Sequence, residues 1–163
     1  MAKKQTLGYT AKPSDPLYTN GKYIREVLAA ISITAAAAAN DVHVLAHNIP
    51  IDAQVVGIFL PSGSAQIADL TDVDFGFHRA DNDAALDIDA LADGVNFSAA
   101  ARTYAVDLIG SGLTFDTTKN IGELLSLQSD EEPSGGVNVT ATIKAEGAGT
   151  GTIPVLVRIA FPA

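Results

Sequence analysis

Three histidines and a run of aspartates are the residues of this chain best suited to chemistry. His43 and His47 lie four apart in "DVHVLAHNIP", and His78 closes "TDVDFGFH". On a helix, imidazoles four apart share a face and can share a zinc ion. Asp81, Asp83, Asp87, Asp89 and Asp93 fall close together, where carboxylates could hold calcium or serve as general acid and base.

The elements that must carry these residues speak against both uses. Asn48 and Pro50 break the chain after His47, and a helix does not run cleanly through that proline. "AQVVGIFL" follows as a dense β-forming run, closed by the turn signal "PSGS". The stretch therefore reads strand, short turn, strand. In a strand, His43 and His47 stand roughly 13 Å apart, too far for one ion held at bonds of about 2 Å. The expectation is no metal site, with one histidine facing solvent and the other packed at a strand end. "DIDALADG" lacks the ligand spacing and terminal glutamate of a calcium loop, so residues 81–93 read as a solvated acidic loop.

Other chemistry is missing from the sequence. There is no cysteine, hence no thiolate ligand or nucleophile. No G-x-S-x-G elbow and no phosphate loop occurs, and "GAGTG" has no helical pattern after it. No catalytic residue, no metal and no cofactor is expected, and the chain reads as a protein other than an enzyme.

The 163 residues suit one domain, large enough to bury a core without staples. No apolar run approaches the roughly 20 residues of a membrane span, and the first residues lack the apolar stretch of a secretion signal. Synthesis in the cytoplasm and no membrane partner are expected. The net charge of −9 is unevenly spread. Residues 1–25 hold five basic side chains against Asp15, a net +4; the remainder holds 5 basic and 18 acidic, a net −13. An acidic body repels phosphates, so no nucleic acid partner is expected.

Alternation supplies the fold. "TDVDFGFH" sets Val73, Phe75 and Phe77 on one face and Asp72, Asp74, Gly76 and His78 on the other. "GVNVTATIKA" points Val137, Val139, Ala141 and Ile143 inward, and "IPVLVRIAF" does the same with Val155, Val157, Ile159 and Phe161. Residues 24–39 fit a helix or a strand; the β-branched Ile31, Ile33 and Thr34 favour a strand to about Thr34. Strands are also expected at 102–108 and 121–128. A short helix, ended by Gly94, is expected within 81–101. Short strands at regular spacing predict an all-β chain, an antiparallel β-sandwich of jelly-roll type.

Ahead of this body, assigned to residues 25–163, residues 1–24 read as an extended N-terminal arm. They have no sustained periodicity and hold three of the four tyrosines. An arm with aromatics to bury and a basic charge reads as a protein interface, carried by Lys3, Lys4, Tyr9, Lys12, Tyr18, Lys22 and Tyr23.

The order of "NDVHVLAHNIPIDAQVVGIFL", "ADLTDVDFGFH", "DALADGVNFSAA" and a closing "VLVRIAF" resembles small virion structural proteins of tailed bacteriophages. The likeness covers about four fifths of the chain in texture and order, without an invariant motif. It implies a β-sandwich assembled in many copies: a head decoration or cement protein on the capsid exterior, with the major capsid protein and copies of itself as partners. The basic arm departs from compact members of that group. The alternatives are a base or adaptor module of a head or tail fibre, and a glycan-binding sandwich. The last is disfavoured by the absence of Trp.

Overall fold

The computed structural model describes residues 4–5, 8–9, 18–19, 22–35, 38–62, 66–98, 106–127, 132–145 and 149–162. Three two-residue strands come first: β1 (Lys4–Gln5), β2 (Gly8–Tyr9) and β3 (Tyr18–Thr19). The body follows as β4 (Lys22–Ile33), β5 (Val42–Ile49), β6 (Gln54–Leu60), β7 (Val73–Arg79), β8 (Ala85–Val95), β9 (Val106–Asp107), α1 (Ile121–Leu124), β10 (Val137–Ile143) and β11 (Gly151–Phe161).

Besides the two-stranded β1-β2 ribbon, two larger sheets form, ordered β5-β10-β7-β8 and β3-β4-β11-β6-β9, with every pairing in them antiparallel. Counted from β4 as the first body strand, one sheet reads second, seventh, fourth, fifth. The other reads first, eighth, third, sixth once β3 is set aside. That interleaving is the strand order of a jelly roll, in which paired strands fold over together so that consecutive strands alternate between layers except at the central β7–β8 hairpin. The expected all-β sandwich is therefore the observed one.

The core is the set of inward-facing residues that alternation marks. Phe75, Phe77, Val137, Val139, Ala141 and Ile143 from one layer are fully buried, as are Ile31, Val155, Val157 and Ile159 from the other. Burying each large apolar side chain contributes about 1.5–3 kcal/mol, which lets a cysteine-free chain hold two layers together. β11 lies between β4 and β6 and pairs along the whole of β4, from Gly151↔Ile33 to Phe161↔Tyr23. The end of the last strand thus sits beside the start of the first.

Three expectations differ from the structure. Residues 85–95 form the strand β8 where a short helix was expected, although Gly94 does adopt a positive φ of 66°. The β7–β8 register jumps from Phe77↔Asp87 to Phe75↔Ala92, so Ile88–Leu91 bulge out of the ladder. The bulge breaks the alternation and leaves a leucine–alanine pattern that mimics a helix. Residues 121–124 form α1 where a strand was expected. There, the Asn120 side chain accepts from the Glu123 N–H at 2.8 Å, and the Glu123 carboxylate accepts from the Asn120 N–H at 2.9 Å. This reciprocal cap favours one helical turn over extension. Of the strand expected at 102–108, residues 106–107 form β9, the Leu108 N–H that follows still bonds to the Ile58 carbonyl of β6 at 2.7 Å, and 102–105 lie outside the described residues.

Candidate functional site

The arm is the first candidate. Lys3 and Lys12 lie outside the described residues. Lys4, Tyr9, Tyr18 and Lys22 are placed as backbone, in β1, β2, β3 and β4. β1 pairs with β2, β3 pairs with the start of β4, and β2 lies beside β4. The described parts of the arm thus gather at one edge of the five-stranded sheet. Tyr23 belongs to β4 itself, so the boundary drawn after residue 24 falls inside that strand. Its ring stacks on Phe161 with centroids 5.0 Å apart, and the Arg25 guanidinium lies 4.6 Å from the Phe161 ring centre. The root of the arm is therefore anchored by an aromatic stack with a cation over it, an arrangement worth about 0.5–1.5 kcal/mol beyond area burial.

The histidines come next. His43 is half-buried and His47 exposed, both on β5. Burial pulls the His43 imidazole below its ordinary value, partly opposed by Asp41. His78 faces away from the core, as alternation requires, yet it is only 7% exposed. The reason lies in β8, whose bulge curls over the outer face of β7. A Cβ on Gly76 would stand 2.1 Å from the Asp87 carbonyl oxygen, so only glycine admits that close approach. Among the described residues, no group of three or more histidine, aspartate or glutamate side chains could hold a metal ion.

Beneath that covering lies a polar row on β10 made of Asn138, Thr140 and Thr142, all buried although they point away from the core. His78 Nδ1 is 2.9 Å from Thr140 Oγ1, and Thr140 Oγ1 is 3.4 Å from the Gly76 carbonyl oxygen. The threonine's one proton can serve either contact, and the tautomer of His78 decides which group donates in the shorter one. Burial lowers the His78 pKa, against a smaller pull from Asp83, and favours the neutral ring. A histidine on a hydroxyl is half of a nucleophile pair; here the Thr140 side chain is 0% exposed.

The same row borders an open cavity of about 240 Å³ lined by Val42, Val44, His78, Asp83 and Thr140. Val42 stands at its mouth, 42% exposed; it and Leu28 are the two large hydrophobic residues left exposed among those described. Asp83 sits in the β7–β8 turn at φ 57°, with its carboxylate 3.5 Å from Asn138 Nδ2. Neighbouring Arg79 is engaged by Asp81 through two hydrogen bonds of 3.0 Å, and that pairing holds the Asp81 carboxyl below its usual range. Among the described residues Asp83 forms no ion pair.

Sequence reading missed this cavity. It placed His78 on the outward face, and the inward assignment of Val139 and Ala141 placed Thr140 there by default. What brings them together is a strand register between residues 62 apart in sequence. The acidic stretch is only partly a solvated loop. Asp87 is half-buried on β8, and burial, with a hydrogen bond to Asp89, raises its pKa.

No protein-family model matches the chain, and no curated protein matches it. Among solved structures it is similar to a chain of the cyanophage Pam1 capsid asymmetric unit, at 14% identity and a TM-score of 0.45, over 92% of this chain and 91% of that one. A likeness of that size establishes neither fold nor role, and the jelly-roll assignment rests on the strand order.

Proposed function

We propose that the chain is a structural protein of a tailed-phage virion, a head decoration or cement protein that binds the outside of the capsid shell and reinforces it. The observation that carries this reading is the jelly roll itself, filled with aliphatic and aromatic side chains and closed by a last strand laid against the first. That architecture recurs in viral capsid domains, where rigid sandwiches serve as building units. A fold does not name a function by itself. The sequence resemblance to small virion proteins points the same way.

In this reading the chain is not an enzyme and binds in many copies to the major capsid protein and to itself. The arm supplies much of the docking through Lys3, Lys4, Tyr9, Lys12, Tyr18 and Lys22, with Tyr23 fixing its root to the body. Basic side chains steer the arm to an acidic surface, and tyrosines bury area at low entropic cost. The test is co-sedimentation of purified protein with shells of its major capsid protein, followed by electron cryomicroscopy of the decorated particles. Wild-type protein should occupy regular exterior positions. The full chain with Lys3, Lys4 and Lys12 changed to Gln and Tyr9 and Tyr18 to Ala should stay folded and lose occupancy. No binding of wild-type protein to shells overturns the decoration role, and undiminished occupancy by the variant overturns the role of the arm.

A further inference from the structure

The cavity on the outer face of the four-stranded sheet has a definite chemical polarity. The β5–β10–β7 register spreads its lining along β10. Val42 lies opposite Thr142, Val44 opposite Thr140, and His78 opposite Asn138, the residue that meets Asp83. From Thr142 to Asn138 the strand advances roughly 13 Å. One end of the groove is therefore apolar, walled by two valines. The other end offers the Asp83 carboxylate, an acceptor, beside the His78 imidazole.

A complementary ligand is long, aliphatic along its stem and cationic at its tip. A lysine side chain meets that description: its methylenes lie along valines while its ammonium, three donors and no acceptor, turns to the carboxylate. The site is prepared for such a charge. Arg79, the nearest basic residue in sequence, is spent on Asp81, and Asp83 is left without an ion pair among the described residues.

This chain carries adjacent lysines, Lys3 and Lys4, in its basic first 25 residues, against a body of net charge −13. The described parts of its own arm lie elsewhere. β3 pairs with β4 and β2 lies beside β4, all at the five-stranded sheet, whereas the groove opens from the outer face of the opposite layer.

We propose that the groove formed by Val42, Val44, His78, Asp83 and Thr140 is the receptor for the Lys3–Lys4 end of the arm of a second copy. The proposal deepens the reading of the arm as an interface and rests on it, but it requires no capsid shell. It predicts a link between neighbouring copies in which one arm end reaches the next body's four-stranded sheet.

The absence of cysteine allows a direct test on the full-length protein. Chains with ¹³C-labelled valine methyls are mixed with unlabelled chains bearing a nitroxide on Gln5→Cys. In the mixture only contacts between copies broaden the labelled signals. The expected result is broadening of the Val42 and Val44 methyls beyond that of other surface methyls. Lys3→Gln with Lys4→Gln in the spin-labelled chain should reduce it at least fivefold. Asp83→Asn in the methyl-labelled chain should do the same; asparagine accepts the positive φ at this turn, and an unchanged spectrum elsewhere verifies its fold. Broadening confined to a diluted sample in which one chain carries both labels places the arm on its own body and overturns the proposal. Broadening that is absent, or that survives Asp83→Asn, overturns it as well. These outcomes leave the capsid reading standing, because shell occupancy is measured separately.

Discussion

Gly76→Ala tests whether the curl of β8 over β7 is as tight as the geometry requires. The added methyl would stand 2.1 Å from the Asp87 carbonyl oxygen, 2.4 Å from the Ile88 carbonyl carbon and 2.6 Å from its oxygen. All three atoms are backbone, so no side chain can rotate aside. Relief requires β8 to retreat by roughly 1 Å toward ordinary carbon contact distances. On either side, Phe75 and Phe77 are fully buried and resist any compensating movement of β7. Overpacking of this kind costs about 3 kcal/mol, the upper part of its usual range. At about 2 kcal/mol per molar urea for a chain of this size, the midpoint should fall by about 1.5 M. Gly94→Ala is the internal comparison. Its Cβ would meet nothing within 4 Å, so the only cost is the backbone at φ 66°, about 1 kcal/mol or 0.5 M. Urea unfolding of the two variants, followed by circular dichroism, separates close approach from backbone conformation. A Gly76→Ala shift no larger than that of Gly94→Ala would refute the argument that β8 presses on β7.

Two further substitutions probe the polar row on the outer face. The Thr142 hydroxyl is buried without a hydrogen-bond partner, so Thr142→Val, which keeps the shape and removes the orphan, should stabilise the fold by about 1 kcal/mol and raise Tm by about 3 °C. A lower Tm in calorimetry would mean that the hydroxyl is satisfied after all. Opposite Thr142, Asp74 is buried, and that burial raises its pKa, against the hydrogen bond from the Gly94 N–H and with smaller contributions from Asp72 and Asp93. Between the unfolded and the folded pKa the native chain binds the extra proton, so this residue's contribution to stability falls as pH rises through that window and stays low above it. Asp74→Asn keeps an oxygen for the Gly94 N–H and removes the charge. The variant should be more stable than wild type at pH 7, with the difference shrinking toward pH 3. A difference independent of pH, measured by urea unfolding at both values, would show that the charge of Asp74 is not what burial penalises.

Much of this molecule is legible in its residue order. Val73, Phe75 and Phe77, Val137 to Ile143, and Val155 to Phe161 declare strands and their inward faces, because period-two alternation is a local property of an extended chain. The sandwich follows from having enough such strands. The separation of a basic, tyrosine-bearing start from an acidic body is also written in composition. Two local signals misled the reading. The leucine and alanine spacing of residues 85–95 mimics a helix because a bulge spoils its alternation, and the Asn120–Glu123 cap was overlooked inside an apolar run.

The groove was decided by tertiary structure alone. No property of Val42, Asp83 or Thr140 taken singly announces a site, and the pairing that gathers them joins segments far apart in the chain. Which strand lies beside which depends on how whole layers fold over each other and on where β8 leaves its ladder. Alternation tells a strand which side to bury, but it carries no information about the neighbour it will meet. The burial of His78 and Thr140 on the outward face follows from that neighbour, because the bulged backbone of β8 lies over a glycine that only the assembled sheet brings beneath it.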